Sequence, residues 1–317
     1  MKYKFYYILL GFMVMTAMSS CIKDQLYILP EDDPDYFDPF EWKHSSLTVR
    51  TIWDEGVTPV PHGVMLNEDW TELNTGTEIT FKGLPAQTYS VYAYNTPPGI
   101  KVEQGKATVT AMPDGTLNPY PELFYLSPVV ETNVVRGTPS EVSLPMIQWL
   151  HELKFTFNMW PGDEKLIESI VGKLGGVVPS LDMNEKIPTG ETTSINLTLA
   201  PTTVTYHGSD PDLQNQEVPA YTVTVRVFDI QPTTNTTLDL ELSTTDGQTI
   251  TISTLVEKVI PEPISTTYPI SPESPVPSPT IPMDINIDIF IKDMVNGSFN
   301  GTIVNWNDVE NGVIHIR

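Results

Sequence analysis

Few side chains in this sequence are spaced for chemistry. The five histidines are His44, His62, His151, His207 and His315, and none lies near a second one at metal-ligand spacing or in H-E-x-x-H. Asp284, Asn286 and Asp288 open like a calcium loop. Such a loop needs glycine at its sixth position and glutamate at its twelfth, and here these are Ile289 and Val295. On an alternating strand the three would simply form a polar outer face. No nucleophile elbow, phosphate-cradling loop or dinucleotide-binding glycine pattern is present. We therefore assign no catalytic, cofactor-binding or metal residues and expect no enzyme. Six tryptophans remain: Trp42, Trp53, Trp70, Trp149, Trp160 and Trp306. An indole face can stack on the C–H groups of a pyranose ring. The six are dispersed, and Trp53, Trp149 and Trp306 lie in or beside strand patterns, where core packing is expected. Trp70, in the polar stretch Asn67-Glu68-Asp69-Trp70-Thr71, is the best candidate for exposure.

The single cysteine, Cys21, has a telling position. Lys2 and Lys4 precede an apolar run from Phe5 to Met18, followed by the small residues Ser19 and Ser20. As a helix that run would reach roughly 21 Å, short of the ~20 residues a membrane span needs. It reads as a signal peptide, residues 1–20. Met18-Ser19-Ser20-Cys21 resembles a bacterial lipobox, in which small residues admit the peptidase and the thiol takes a diacylglycerol. A thioether sulfur cannot be a nucleophile. Several acyl chains, each buried CH2 contributing about 0.8 kcal/mol, would make a stable membrane anchor. Residues 21–40 follow as an acidic, proline-punctuated tether carrying Glu31, Asp32, Asp33, Asp35 and Asp38.

The whole chain of 317 residues has 17 Lys and Arg against 40 Asp and Glu, a formal net charge of -23. Loss of Lys2 and Lys4 with the leader takes this to -25. Such an excess of acid repels phosphate backbones and anionic headgroups, so nucleic acid is excluded as a partner. At 40% hydrophobic residues the chain can still build substantial cores.

From residue 41 the hydrophobic period is two. Leu47 to Trp53, Ile79 to Phe81, Tyr89 to Asn95 and Lys106 to Thr110 read as short strands bounded by Gly, Pro and Asn. They predict an antiparallel β-sandwich over 41–137, about 95 residues. Beyond a boundary at Gly137-Thr138-Pro139-Ser140, alternation resumes at Glu141 to Leu144 and Leu153 to Phe157. Glu164 to Leu174 carries apolar residues at 3/4 spacing and predicts one short helix, ended by Gly175-Gly176. Tyr221 to Val227, Thr237 to Leu242 and Gln248 to Ser253 are clear strands, the last two joined by Asp246-Gly247. Pro261 to Pro282 holds eight prolines in 22 residues and reads as a surface loop. Ile285 to Ile291, Gly301 to Trp306 and Val313 to Ile316 then supply closing strands, the last a candidate sheet edge. We read 138–317 as a second sandwich and the fold class as all-β.

Three segments resemble the fimbrillin-type anchor and accessory lipoproteins of Bacteroidota. Phe81-Lys-Gly-Leu-Pro-Ala-Gln-Thr-Tyr-Ser-Val-Tyr-Ala-Tyr-Asn95 is similar to that family's strand, Leu-Pro-Ala-Gly turn and strand ending in Tyr-Asn, with Gln87 where glycine is usual. Pro121-Glu-Leu-Phe-Tyr125 is similar to a segment near the end of the family's first module. Leu144 to Phe155 resembles the entry to its second, with Leu174-Gly175-Gly176 following. The resemblance implies two transthyretin-like, Greek-key sandwiches on an outer-membrane lipoprotein that anchors or assembles surface fimbriae. Its expected partners are the membrane, through Cys21, and fimbrial or other surface proteins docking on strand edges. Processing in that family follows an arginine. Here Arg50 sits inside a strand pattern and Arg136 at the module junction, which favours a retained anchor or accessory subunit over a stalk subunit. A glycan-binding surface lipoprotein of a polysaccharide uptake system is the alternative, with a glycan as the partner.

Overall fold

Alternation of apolar and polar residues carries almost the whole body of this chain into strands. The computed structural model describes residues 45–73, 76–207, 211–233, 235–260, 283–289, 306–310 and 313–316. The leader, Cys21, the acidic tether, the loop 261–282 and the expected strand 301–305 lie outside the described residues. Among those described, the only helical turns are Asp163–Leu166 and Val256–Val259, four residues each. The protein is all-β.

The described residues form two compact units: 45–48, 80–88 and 133–141 make up the first, and those within 49–79, 89–132 and 142–316 the second. In the first, Ser45 ties two loops: its carbonyl accepts from Gly83 N–H and its hydroxyl from Gly137 N–H, each at 2.9 Å. The strands β1 (Ser46–Ile52), β4 (Glu78–Lys82) and β10 (Pro139–Pro145) form a sheet in the order β10, β1, β4. Leu47, Val49 and Thr51 are buried along β1, as the period requires.

A second sheet runs β11 (Ile147–Gln148), β8 (Tyr125–Leu126), β5 (Gln87–Tyr94), β2 (His62–Leu66) and β3 (Asp69–Leu73), with β9 (Val130–Val134) also paired to β5. A third joins β6 (Ile100–Glu103) and β7 (Lys106–Val109) to β14 (Ser180–Asp182) and β15 (Ile187–Thr189). Residues from both sides of Gly137 therefore share this sheet.

The remaining sheets of the larger unit pack on one core. One runs β16 (Thr193–Thr198), β13 (Ile167–Val178), β20 (Thr237–Thr244) and β21 (Thr249–Leu255), with β19 (Asp229–Ile230) also paired to β13. The other runs β17 (Ala200–Thr205), β18 (Glu217–Val227), β12 (His151–Met159), β22 (Met283–Ile289), β24 (Val313–Ile316) and β23 (Trp306–Glu310). Their inward residues, among them Ile170, Leu174, Leu240, Phe155, Phe157, Val225 and Ile287, join Ala107, Val109, Phe124, Leu126 and Trp149 in one hydrophobic cluster.

Three expectations are corrected. Glu164 to Leu174 is not a helix: after the short turn Asp163–Leu166 it is the start of the twelve-residue strand β13. Ile167 pairs with Thr244 and Ser169 with Ser243, so one extra residue bulges between them. That bulge turns a two-residue step into a three-residue one, and Ile167, Ile170 and Leu174 come to mimic a helical stripe while all facing the core. Gly175-Gly176 does not end the element. It forms a second irregularity within β13, between Leu174 and Val177, where Gly176 has φ +75° and a Cβ would press on the Gln231 carbonyl.

The pairing in the sheet of β12 is mixed. β22 runs parallel to both β12 and β24, which the long connection between residues 159 and 283 makes sterically feasible. Finally, Val313–Ile316 is not an edge: it lies between β22 and β23, and the edges of its sheet are β17 and β23.

Candidate functional site

The three segments that carry the family resemblance meet around the two-residue strand β8. The Asn95 side chain donates to Leu123 O at 2.8 Å and accepts from Tyr125 N–H at 2.7 Å, while Ser127 Oγ accepts from Ala93 N–H. From the third segment, Trp149 donates its backbone N–H to Phe124 O and its indole N–H to Leu126 O. Arg226 adds a guanidinium bond to Pro121 O and a 2.6 Å ion pair with the mostly buried Glu152. Every one of these groups is spent on holding chain to chain. The motifs are structural, and Asn95 is needed because two bonds from one buried amide fix the course of Leu123 to Tyr125.

His62 and His151 are likewise structural. A carbonyl can only accept, so the 2.7 Å contact with Val60 O puts the His62 proton on Nδ1, and Nε2 accepts from Thr51 Oγ1 at 3.1 Å. Trp53 packs edge-on against both His62 and Tyr125, at 5.3 and 5.0 Å. Burial holds His62 below the ordinary imidazole range. His151 is 6% exposed and its pKa falls to about 4, again through burial, partly offset by the carboxylate of Asp229. His207 is exposed, His44 lies outside the described residues, and of His315 only the backbone is described. Asp284 and Asn286 alternate with the buried Ile285, Ile287 and Ile289, so they face away from the core as the sequence suggested. Asp284 pairs with Lys154 at 3.8 Å.

Trp149 is core, as expected, and Trp53 half-buried. Trp70 is 38% exposed, yet it does not sit in a polar loop. It stands on the edge strand β3, folded back on β2 through the turn Asn67-Glu68, with Asn67 at φ +54°. Met65 pairs with Trp70 and Gly63 with Glu72 across this hairpin, and on the other side Gly63 pairs with Tyr94 and Met65 with Tyr92. Opposed residues point to the same side, so Gly63, Met65, Trp70, Glu72, Tyr92 and Tyr94 share one face. The Trp70 six-membered ring lies over Gly63 so closely that a Cβ there would overlap it. Tyr94 packs on Trp70 at 4.3 Å with a 36° tilt, and Tyr92 stacks with Tyr94 at 6.0 Å and 21°. Burial raises the pKa of both tyrosines.

These rings form a ledge that ends in solvent at Trp70. Sequence reading found Trp70 but missed Tyr92, Tyr94 and Gly63. The signal was there: a two-residue turn at Asn67-Glu68 fixes the register that brings them together. Trp160, 39% exposed, lies elsewhere, in the turn after β12.

The edge strand β17 is the second open feature. Ala200, Pro201, Thr202, Thr203 and Thr205 are exposed and Val204 half-buried. Thr203 pairs with Pro219, which has no N–H, and Tyr206 N–H bonds Gln216 O. Residues 202, 204 and 206 therefore make the ladder bonds to β18, and the backbone groups of Thr203 and Thr205 point outward. Pro201 offers a carbonyl there and no donor.

Arg50 lies within β1, paired to Glu78 at 2.7 Å, and Arg136 in the turn between β9 and β10. Cys21 lies outside the described residues.

No family model and no curated protein matches the chain. Among solved structures it is similar to a candidate adhesin from Bacteroides thetaiotaomicron, at 11% identity and TM-score 0.48, covering 78% of this chain and 91% of that one. It is similar to a candidate polysaccharide-binding protein of the same organism, at 12% identity and TM-score 0.47, covering 86% and 98%. It is also similar to the fimbrial anchor protein Mfa2 from Porphyromonas gingivalis, at 10% identity and TM-score 0.45, covering 81% and 95%. What this chain does must be read from its own residues.

Proposed function

We propose that this chain is a non-enzymatic lipoprotein of the fimbrillin type, anchored in the outer membrane through Cys21 and exposed at the cell surface. There it acts as a fimbrial anchor or accessory subunit through protein–protein contacts. In this reading residues 21–40 are the tether and the β-sheets beyond them the docking body, arranged as sandwiches over 41–137 and 138–317. The observation that carries contact-based function is the edge of β17, whose outward donors at Thr203 and Thr205 suit an added strand.

Two substitutions test it in cells. Cys21→Ser should move the protein from the membrane to the soluble fraction, because the acyl anchor is lost. Thr203→Pro removes one outward donor and none of the bonds to β18, so the fold should persist. Affinity purification of the membrane-bound wild type should recover a stable complex with a fimbrial subunit, and Thr203→Pro should lose it. An undiminished complex would rule out docking at this edge.

The glycan-binding reading is favoured by a different observation, the Trp70 ring left in solvent at the end of an aromatic row.

A further inference from the structure

We propose that Trp70, Tyr94 and Tyr92 form a stacking ledge for a neutral, pyranose-containing oligosaccharide, with the Glu72 carboxylate as an acceptor for sugar hydroxyls. This rests on the glycan-binding reading and adds the site, the ligand class and the charge it tolerates.

A ring that covers a strand glycine has a structural use, since it fills the space a side chain would occupy. That use accounts for one face of Trp70. It does not account for a ring that remains 38% exposed on an edge strand, at the end of a row whose inner members, Tyr94 and Tyr92, are half-buried against the main hydrophobic cluster. Gly63 seats the indole against the backbone, and Tyr94 braces it at 4.3 Å. The platform is thus ordered before any ligand arrives, and little rotamer entropy is lost on binding. Apolar C–H faces of a pyranose suit the negative face of an aromatic ring. Its hydroxyls need acceptors at the rim, and Glu72, directly opposite Gly63 on the same face, is exposed to provide one.

Charge selects among sugars. The chain carries a net charge of -23, and the hairpin itself holds Glu68, Asp69 and Glu72. Uronates and sulfated glycans would be repelled on approach and at the rim. A neutral chain meets no such barrier.

The test is titration of the detergent-solubilised mature protein, followed by calorimetry and tryptophan fluorescence. The probes are cello-, xylo-, manno- and laminari-oligosaccharides, with polygalacturonate as the acidic comparison. At least one neutral oligosaccharide should bind, and Trp70→Ala should weaken it about tenfold or more. Trp70→Phe, which keeps a ring and guards against a folding defect, should lose part of the affinity. Gly63→Ala, which pushes the indole off its seat, should also weaken binding. Trp160→Ala removes an equally exposed indole elsewhere and should change nothing. Neutral-sugar binding that survives Trp70→Ala and Gly63→Ala would overturn the ledge while leaving the glycan-binding reading intact. A wild type that binds none of these sugars, neutral or acidic, would overturn both, and preference for polygalacturonate would overturn the charge argument.

Discussion

Phe157→Ala is expected to cost about 3–5 kcal/mol of stability, a typical loss when a large aromatic is cut from a rigid core. Phe157 is fully buried on β12, the strand that holds β18 on one side and β22 on the other. It opposes Tyr221 on β18 and Ile287 on β22, and stacks 6.3 Å from Phe155. Neighbours fixed by two ladders cannot collapse into the hole, which places the loss in the upper part of the range. The effect should also travel. Val109, Phe124 and Leu126, which precede Gly137 in the chain, belong to the same hydrophobic cluster as Phe157. Hydrogen exchange at Val109 and Leu126 should therefore accelerate in the variant by about as much as at Phe155. If the amides around Val109 keep their wild-type protection while those of β12 lose theirs, the cluster is not one cooperative unit.

How far such a core can be read from sequence differs from strand to strand. The alternation at Leu47-Thr48-Val49 or Ile285-Asn286-Ile287 needs no context, because one face is simply wet and the other dry. β13 defeated the same reasoning because a bulged strand and a helix both place apolar residues three apart, and only the pairing partners Thr244 and Ser243 separate them. Partners are also what decide edges. Val313–Ile316 looks like an outer strand at the end of a chain, but Asn311-Gly312 just before it is a strong hairpin signal that already implied a partner, Trp306–Glu310, on one side. The aromatic ledge was half-legible for a related reason. Trp70 advertises itself by residue type, whereas Tyr92 and Tyr94 become its neighbours only through the register of three strands. The quoted motif Tyr94-Asn95 divides between roles: Tyr94 braces the ledge, and Asn95 pins Leu123 and Tyr125.

Acid should destabilise this protein well above the range where its carboxylates titrate, and His151 sets the window. Burial lowers its pKa from 6.5 to about 4, with Asp229 opposing the shift. The unfolded chain thus binds a proton at pH 6.5 and below that the folded chain refuses until about pH 4. Stability from this group is fully present above pH 6.5 and is lost as pH falls towards 4, by about 3 kcal/mol in all or roughly 1.4 kcal/mol per pH unit. His62 acts in the same direction, since burial lowers its pKa and its Nε2 must stay unprotonated to accept from Thr51. The exposed Asp114 and Asp246 and the half-buried Asp182 have lowered pKa values through hydrogen bonds, so their contribution fades only below the ordinary carboxylate range. Urea unfolding between pH 7 and 5.5 reads the histidines above the ordinary carboxylate range. His151→Gln should start from a lower stability at neutral pH yet flatten the slope by close to one proton, and adding His62→Gln should flatten it further. A His151→Gln variant that keeps the wild-type slope, or an imidazole resonance of His151 titrating near 6.5, would mean that His151 is not held neutral by burial.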